Sequence, residues 1–231
     1  MIERIRWVHN KYYIHRDIEP DNFLIGNEDQ SIIYLINFGL SQKYRSSRTG
    51  KHIECTLRRN LRKFEGTADF ASVNALRCRL QSRKDDLESI GYIILYFMRG
   101  KLPWQVNTDK KKDRYIKTCL KQKSVSPKIL CKGLPIQIME YIKYIKQLKF
   151  EQDPDYDYLI NLFKAILEGI NCKDLIFSWI HFSSRINNIN FEYKTPRKGS
   201  HDLSDNKCKL KLATKNSNNS RSLDDILKNL K

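Results

Sequence analysis

The chain predicts a mainly α domain carrying one small β-hairpin near its start, and three patterns predict it. Apolar residues recur at helical spacing through several stretches. Two short apolar runs, Phe23-Leu24-Ile25 and Ile32-Ile33-Tyr34-Leu35-Ile36, flank the turn-forming Gly26-Asn27-Glu28-Asp29-Gln30, the mark of a hairpin. Past about Ser183 the sequence turns rich in Asn, Ser and Lys and loses its apolar periodicity.

The elements follow in order. Residues 2 to 10 read as an amphipathic helix with Ile2, Ile5 and Val8 on one face, and no capping residue precedes Met1. The hairpin comes next. From Gly39 to about Ala71 the chain is polar, basic and aperiodic, too long for a simple connector and so a functional loop. Ser82 then caps a helix whose apolar residues run all the way round, which places it at the centre of a domain, and Gly100 and Pro103 stop it. Later helices start near Pro135, with Ile138, Met139, Ile142, Ile145 and Leu148 in register, and near Pro154, with Leu159, Leu162, Phe163, Ile166 and Leu167 in register. Residues 183–231 read as a disordered basic tail with a short amphipathic helix over 223–230, where Leu223, Ile226, Leu227 and Leu230 follow Ser222. The domain is therefore expected over 1–182.

Bulk composition narrows the function classes. With 231 residues and 40% apolar content the chain can bury a real core. Six cysteines fall singly, with no Cys-x-x-Cys pair, which points to reduced packing residues rather than a metal framework. No stretch approaches the roughly 18 apolar residues of a membrane span, and the first residues lack the apolar block of a signal peptide, so the cytoplasm or nucleus is expected. A formal charge of +17 attracts polyanions, among them acidic protein partners. Its densest stretch, Lys110, Lys111, Lys112, Arg114, Lys117, Lys121 and Lys123, reads as a solvated helix face. Nucleic acid is an unlikely partner, because no aromatic-interleaved basic stretch accompanies the charge.

The chemistry-bearing segment is His15-Arg16-Asp17-Ile18-Glu19-Pro20-Asp21-Asn22. It matches the kinase catalytic-loop pattern His-Arg-Asp followed by Asn at a fixed distance. The hairpin follows at once and ends in Asn37-Phe38-Gly39, where a kinase carries Asp-Phe-Gly. In this order Asp17 would accept the proton of a substrate hydroxyl, Asn22 would hold a magnesium ion, and position 37 would bridge metal to phosphates.

The chain most closely resembles the casein kinase I family of serine/threonine protein kinases. The resemblance rests on residues 21 to 26, 38 to 45, 66 to 74, 81 to 92, 102 to 105 and 130 to 135, and covers Met1 to about Ile180. Ser72-Val73-Asn74 stands where that family has Ser-Ile-Asn and other kinases have Ala-Pro-Glu. The resemblance implies a kinase C-terminal lobe, transfer of the ATP γ-phosphoryl group to Ser or Thr of proteins, and use of ATP with magnesium. It implies further that Thr67 bonds the catalytic aspartate, that Asp86 and His15 steady the loop, and that Leu24 and Ile36 floor the adenine site.

Four departures from that pattern bear on activity. None of the nine glycines lies two residues from another, so no Gly-x-Gly-x-x-Gly loop occurs, and Met1 aligns inside the helix before the catalytic loop. The N-terminal lobe is therefore expected to be absent. Asn37 replaces a metal-binding aspartate, and hard cations are held chiefly by carboxylates. Glu19 stands where the family has a lysine facing the transferred phosphoryl group. Asp69 replaces an arginine of the family's substrate-anion site, whose other basic member is matched by Arg114. Three functions stay open: a non-catalytic protein that binds partners, a divergent kinase active when completed by another segment, and a basic nucleic-acid binder.

Overall fold

Helix α1 (Ile2–Asn10) opens the structure and turns Ile2, Ile5, Val8 and His9 inward. The computed structural model of the chain describes residues 1–53, 64–105 and 111–169, all within one unit that spans Met1–Lys173. The tail boundary at 182/183 and the helix expected over 223–230 lie outside the described residues. After α1 come β1 (Tyr13–Ile14), β2 (Phe23–Ile25), β3 (Ile33–Leu35) and β4 (Gln42–Lys43). The expected hairpin is the antiparallel pair β2 and β3, in register Phe23 to Leu35 and Ile25 to Ile33. A second antiparallel pair, β1 with β4, falls partly inside the segment expected to be aperiodic. Two-residue strands are too short for a period of two to show.

The helices follow: α2 (Val73–Leu76), α3 (Arg83–Arg99), α4 (Lys111–Ser124), α5 (Pro127–Leu130), α6 (Ile136–Gln147) and α7 (Tyr156–Gly169). Helix α3 is the centre of the core, as its all-round apolar pattern requires. Leu87, Ile90, Ile93 and Leu95 are fully buried and cluster with Ile5, Ile142, Ile145 and Leu159 from α1, α6 and α7. The Tyr141 hydroxyl donates to the Leu87 carbonyl at 2.8 Å, satisfying a polar atom deep in that core. Gly91 lets α6 approach: a Cβ there would meet Ile142 at 2.8 Å and Tyr141 at 3.0 Å. Gly100, at φ 75°, ends α3 where the sequence placed the stop. Among the described residues no helix is long and apolar enough to cross a membrane.

The first turn of α3 explains the Ser72-Val73-Asn74 element. Asp85 accepts from the Ser72 hydroxyl at 2.7 Å, the Asn74 amide at 3.1 Å and the Ser82 backbone N–H at 2.7 Å. Glu88, one turn on, accepts from the Val73 N–H at 3.4 Å and the Tyr92 hydroxyl at 2.6 Å. Both carboxyls are buried. Burial, with Glu88 as a like-charged neighbour, outweighs the three donors and pushes the Asp85 carboxyl up to about 7. Glu88 is raised as well, chiefly by burial.

The folded state thus holds a proton on Asp85 that the unfolded chain, with an ordinary carboxylate, releases near pH 4. That contribution is complete below the unfolded value and is lost as pH rises through the folded one. His9 acts the other way: burial lowers it, so its effect is confined to pH below about 6.5. The melting temperature is therefore expected to fall between about pH 6.5 and pH 8.5. Circular dichroism melts of Asp85→Asn should show a flatter slope over that window, and an unchanged slope would refute the assignment.

Candidate active site

The catalytic-loop residues start at the end of β1, and α3 holds them from below. Asp86, buried in the first turn of α3, accepts from the His15 N–H at 2.7 Å and the Arg16 N–H at 2.8 Å, one proton to each carboxylate oxygen. The same carboxylate lies 2.9 Å from His9 Nε2. Nδ1 of His9 lies 2.6 Å from the Tyr156 hydroxyl. Burial lowers the His9 pKa and raises that of Tyr156, so the imidazole is neutral and the phenol keeps its proton. The consistent tautomer has Nε2–H donating to Asp86 and Nδ1 accepting from Tyr156.

This grip holds Arg16 in the left-handed region, at φ 71°, a conformation a non-glycine residue keeps only when its surroundings compel it. His15 extends the frame: its Nε2 lies 2.9 Å from the Ile36 carbonyl, and its ring meets Phe38 edge-on at 5.0 Å. Asn37 sits between them at φ 65°. Asparagine tolerates that region better than most side chains, so the turn keeps its backbone there.

The side chains expected to act on phosphate gather around Asn22. This side chain is buried and donates from Nδ2 to the Asp17 carbonyl at 2.7 Å, which orients the amide. The same Nδ2 lies 3.3 Å from Asp17 Oδ2 and 3.4 Å from Glu19 Oε1. Asn37 Nδ2 also reaches Asp17 Oδ2, at 3.4 Å. Two carboxylates therefore converge on one amide. Burial, with Asp17 and Asp21 as like charges and a hydrogen bond from Thr67 opposing, pushes the Glu19 carboxyl above its ordinary value.

Thr67 is exposed and lies near enough to the Glu19 carboxyl to oppose that rise. Gly66 lets this segment close on the loop, because a Cβ at its φ of 100° would stand 2.9 Å from Asp17 Oδ1.

A model of the protein kinase domain family matches residues 1–181. The chain belongs to that family. In this kinase domain the remaining expected positions fall as follows. Leu24 and Ile36 are exposed on the hairpin, 48% and 38%, so an apolar surface is open beside Asn22 and Asn37. Asp69 and Arg114 are not two independent features: Arg114 Nη2 donates to Asp69 Oδ2 at 2.6 Å and its Nε to Oδ1 at 3.3 Å. Asp69 is buried, and its carbonyl accepts from Trp104 Nε1 at 2.8 Å.

Sequence reasoning passed over His9 and Tyr156, which complete the clamp on Asp86. The signal for His9 was its place on the apolar face of α1, four residues after Ile5. It also passed over Asp153, which binds Arg83 of α3 and, at 2.9 Å, Arg45 of the segment after β4. Arg83 in turn stacks over the Tyr44 ring at 4.6 Å. These contacts tie the long polar segment to the turn before α7.

Proposed function

We propose that this chain is a casein kinase I-like protein kinase domain in which phosphoryl transfer from ATP is crippled and binding of protein partners is retained. The observation that carries the reading is the convergence of the Asp17 and Glu19 carboxylates on Asn22 Nδ2, with a neutral amide at position 37. Magnesium with ATP is what protein kinases use, and this donor set suits it poorly. One amide, Asn37, offers no charge to a hard cation, and the second carboxylate stands on the side where the γ-phosphate would need a cation.

Magnitudes support a severe loss of rate. Unit charges about 4 Å apart interact by about 4 kcal/mol at an effective dielectric near 20. Reversing the sign at position 19 therefore removes several kcal/mol of transition-state stabilisation, about a thousandfold in rate. Purified chain with radiolabelled ATP, magnesium and casein is expected to show no transfer that Asp17→Asn abolishes. Transfer that depends on Asp17 would overturn the reading.

A second reading, a divergent but active kinase, is favoured by the intact clamp of Asp86 on His15 and Arg16. It requires that nucleotide with magnesium or manganese raise the melting temperature of the chain.

The same reading covers the substrate-anion position. With Asp69 already on Arg114, a phosphorylated substrate competes with a built-in carboxylate. Recognition of primed substrates is therefore lost. Asp69→Asn is expected to raise affinity for a phosphoserine peptide about tenfold, from the loss of one competing charge at a half-exposed arginine. Fluorescence anisotropy checks this, and unchanged affinity would remove Arg114 from the anion site.

A further inference from the structure

The outer face of α4 takes no part in the site described so far. Thr118, Cys119 and Gln122 turn inward, while Ile116 and Leu120, one helical turn apart, are 41% and 63% exposed. Lys117 and Lys121 border this apolar pair on one side and Lys123 on the other, all exposed. Lys123 shares the surroundings of Cys119 with Arg77 and Arg79, exposed residues in the turn after α2. From Arg114 to Gly133 the sequence holds six cations and no Asp or Glu. Among the described residues no acidic side chain pairs with Arg77, Arg79, Lys117, Lys121 or Lys123.

The sequence by itself makes this a solvated helix face, and lysines alone would be that. The exposed Ile116 and Leu120 between them call for a partner with apolar groups of its own. A nucleic acid would use the cations but offers nothing to the aliphatic pair, and this face presents no aromatic ring on which a base could stack. A membrane needs a longer apolar face than two side chains on one turn. An acidic amphipathic peptide matches both features, with apolar side chains on Ile116 and Leu120 and carboxylates on the flanking lysines.

We propose that the outer face of α4, Ile116 and Leu120 framed by Lys117, Lys121 and Lys123, is a docking surface for an acidic amphipathic segment of a partner protein. None of these five residues belongs to the loop that carries Asp17, so docking is expected whether or not the site transfers phosphate.

The test uses the full chain and a fluorescein-labelled helical peptide with leucines along one face and glutamates flanking them. Anisotropy at about 0.15 M salt is expected to show saturable binding, equal in the native chain and in Asp17→Asn. Leu120→Asp and the double variant Lys117→Glu with Lys121→Glu should each weaken it by about tenfold, while Lys143→Glu on α6 leaves it unchanged. Circular dichroism melts confirm that the variants fold. The proposal fails if the peptide does not bind, if the α4 variants bind it as well as the native chain, or if a polyglutamate peptide of equal charge binds as tightly. It fails equally if single-stranded DNA or phosphatidylserine vesicles bind more tightly to this face than the peptide does.

Discussion

A chain carrying both Glu19→Lys and Asn37→Asp is expected to bind Mn2+–ATP about a hundredfold more tightly than the native chain. The Asn37 change supplies an anionic oxygen to the cation, and the backbone at φ 65° accepts aspartate as readily as asparagine. The Glu19 change removes one of the two carboxylates that face Asn22 Nδ2 and puts an ammonium where phosphate charge would lie. At an effective dielectric near 20 each change is worth about 1 to 4 kcal/mol, and solvent over the exposed turn at Asn37 trims its share. Glu19→Lys alone should therefore account for the larger part. Isothermal titration with the native chain, both single variants and the double variant reads the effect directly. If the double variant binds no better than the native chain, the region around Asn22 is not where nucleotide phosphates would sit.

Removing the Asp86 carboxylate is expected to produce the largest loss of stability. Asp86→Ala leaves the His15 and Arg16 N–H groups and His9 Nε2 without their acceptor inside the protein. Unpaired buried donors cost about 1 to 3 kcal/mol each when nothing relaxes, so losing the acceptor of three costs about 3 to 5 kcal/mol once partial relaxation is allowed. For a domain of this size that is a drop of about 10 °C or more in melting temperature. Removing Arg6, whose partner Asp157 is 72% exposed, should change the melt little, because water replaces what is lost. Thermal melts of the two variants side by side separate a clamp from an ornament. A melt of Asp86→Ala within about 2 °C of the native chain would mean that the catalytic loop does not depend on it.

Much of the fold was legible because its signals are local. The hairpin is announced by Gly26 to Gln30 between two β-rich runs, and α3 by apolar residues on every side with Gly100 at its end. The catalytic loop was legible for a related reason: Asp17 and Asn22 lie close in sequence, so their spacing alone fixes which groups can meet. Ser72-Val73-Asn74 was legible as a motif but not as a mechanism. Its purpose is to cover Asp85, and nothing short of the packed first turn of α3 displays that.

What escaped the sequence is long-range. His9 meets Tyr156 across 147 positions and Asp86 across 77. Asp69 meets Arg114 across 45, and although each was a candidate by itself, their pairing changes the meaning of both.

The amino-acid sequence by itself determined the inventory of the site: a carboxylate at 17, another at 19, amides at 22 and 37, and an aspartate at 69 where a cation is expected. Only the tertiary structure decided how those charges are spent, with Asp17 and Glu19 both turned to Asn22, Asp69 paired with Arg114, and Asp86 committed to the backbone of the loop. The reason is physical. Charge is a property of a residue, while hydrogen bonds and Coulomb energies depend on distances that exist only once remote parts of the chain are packed together.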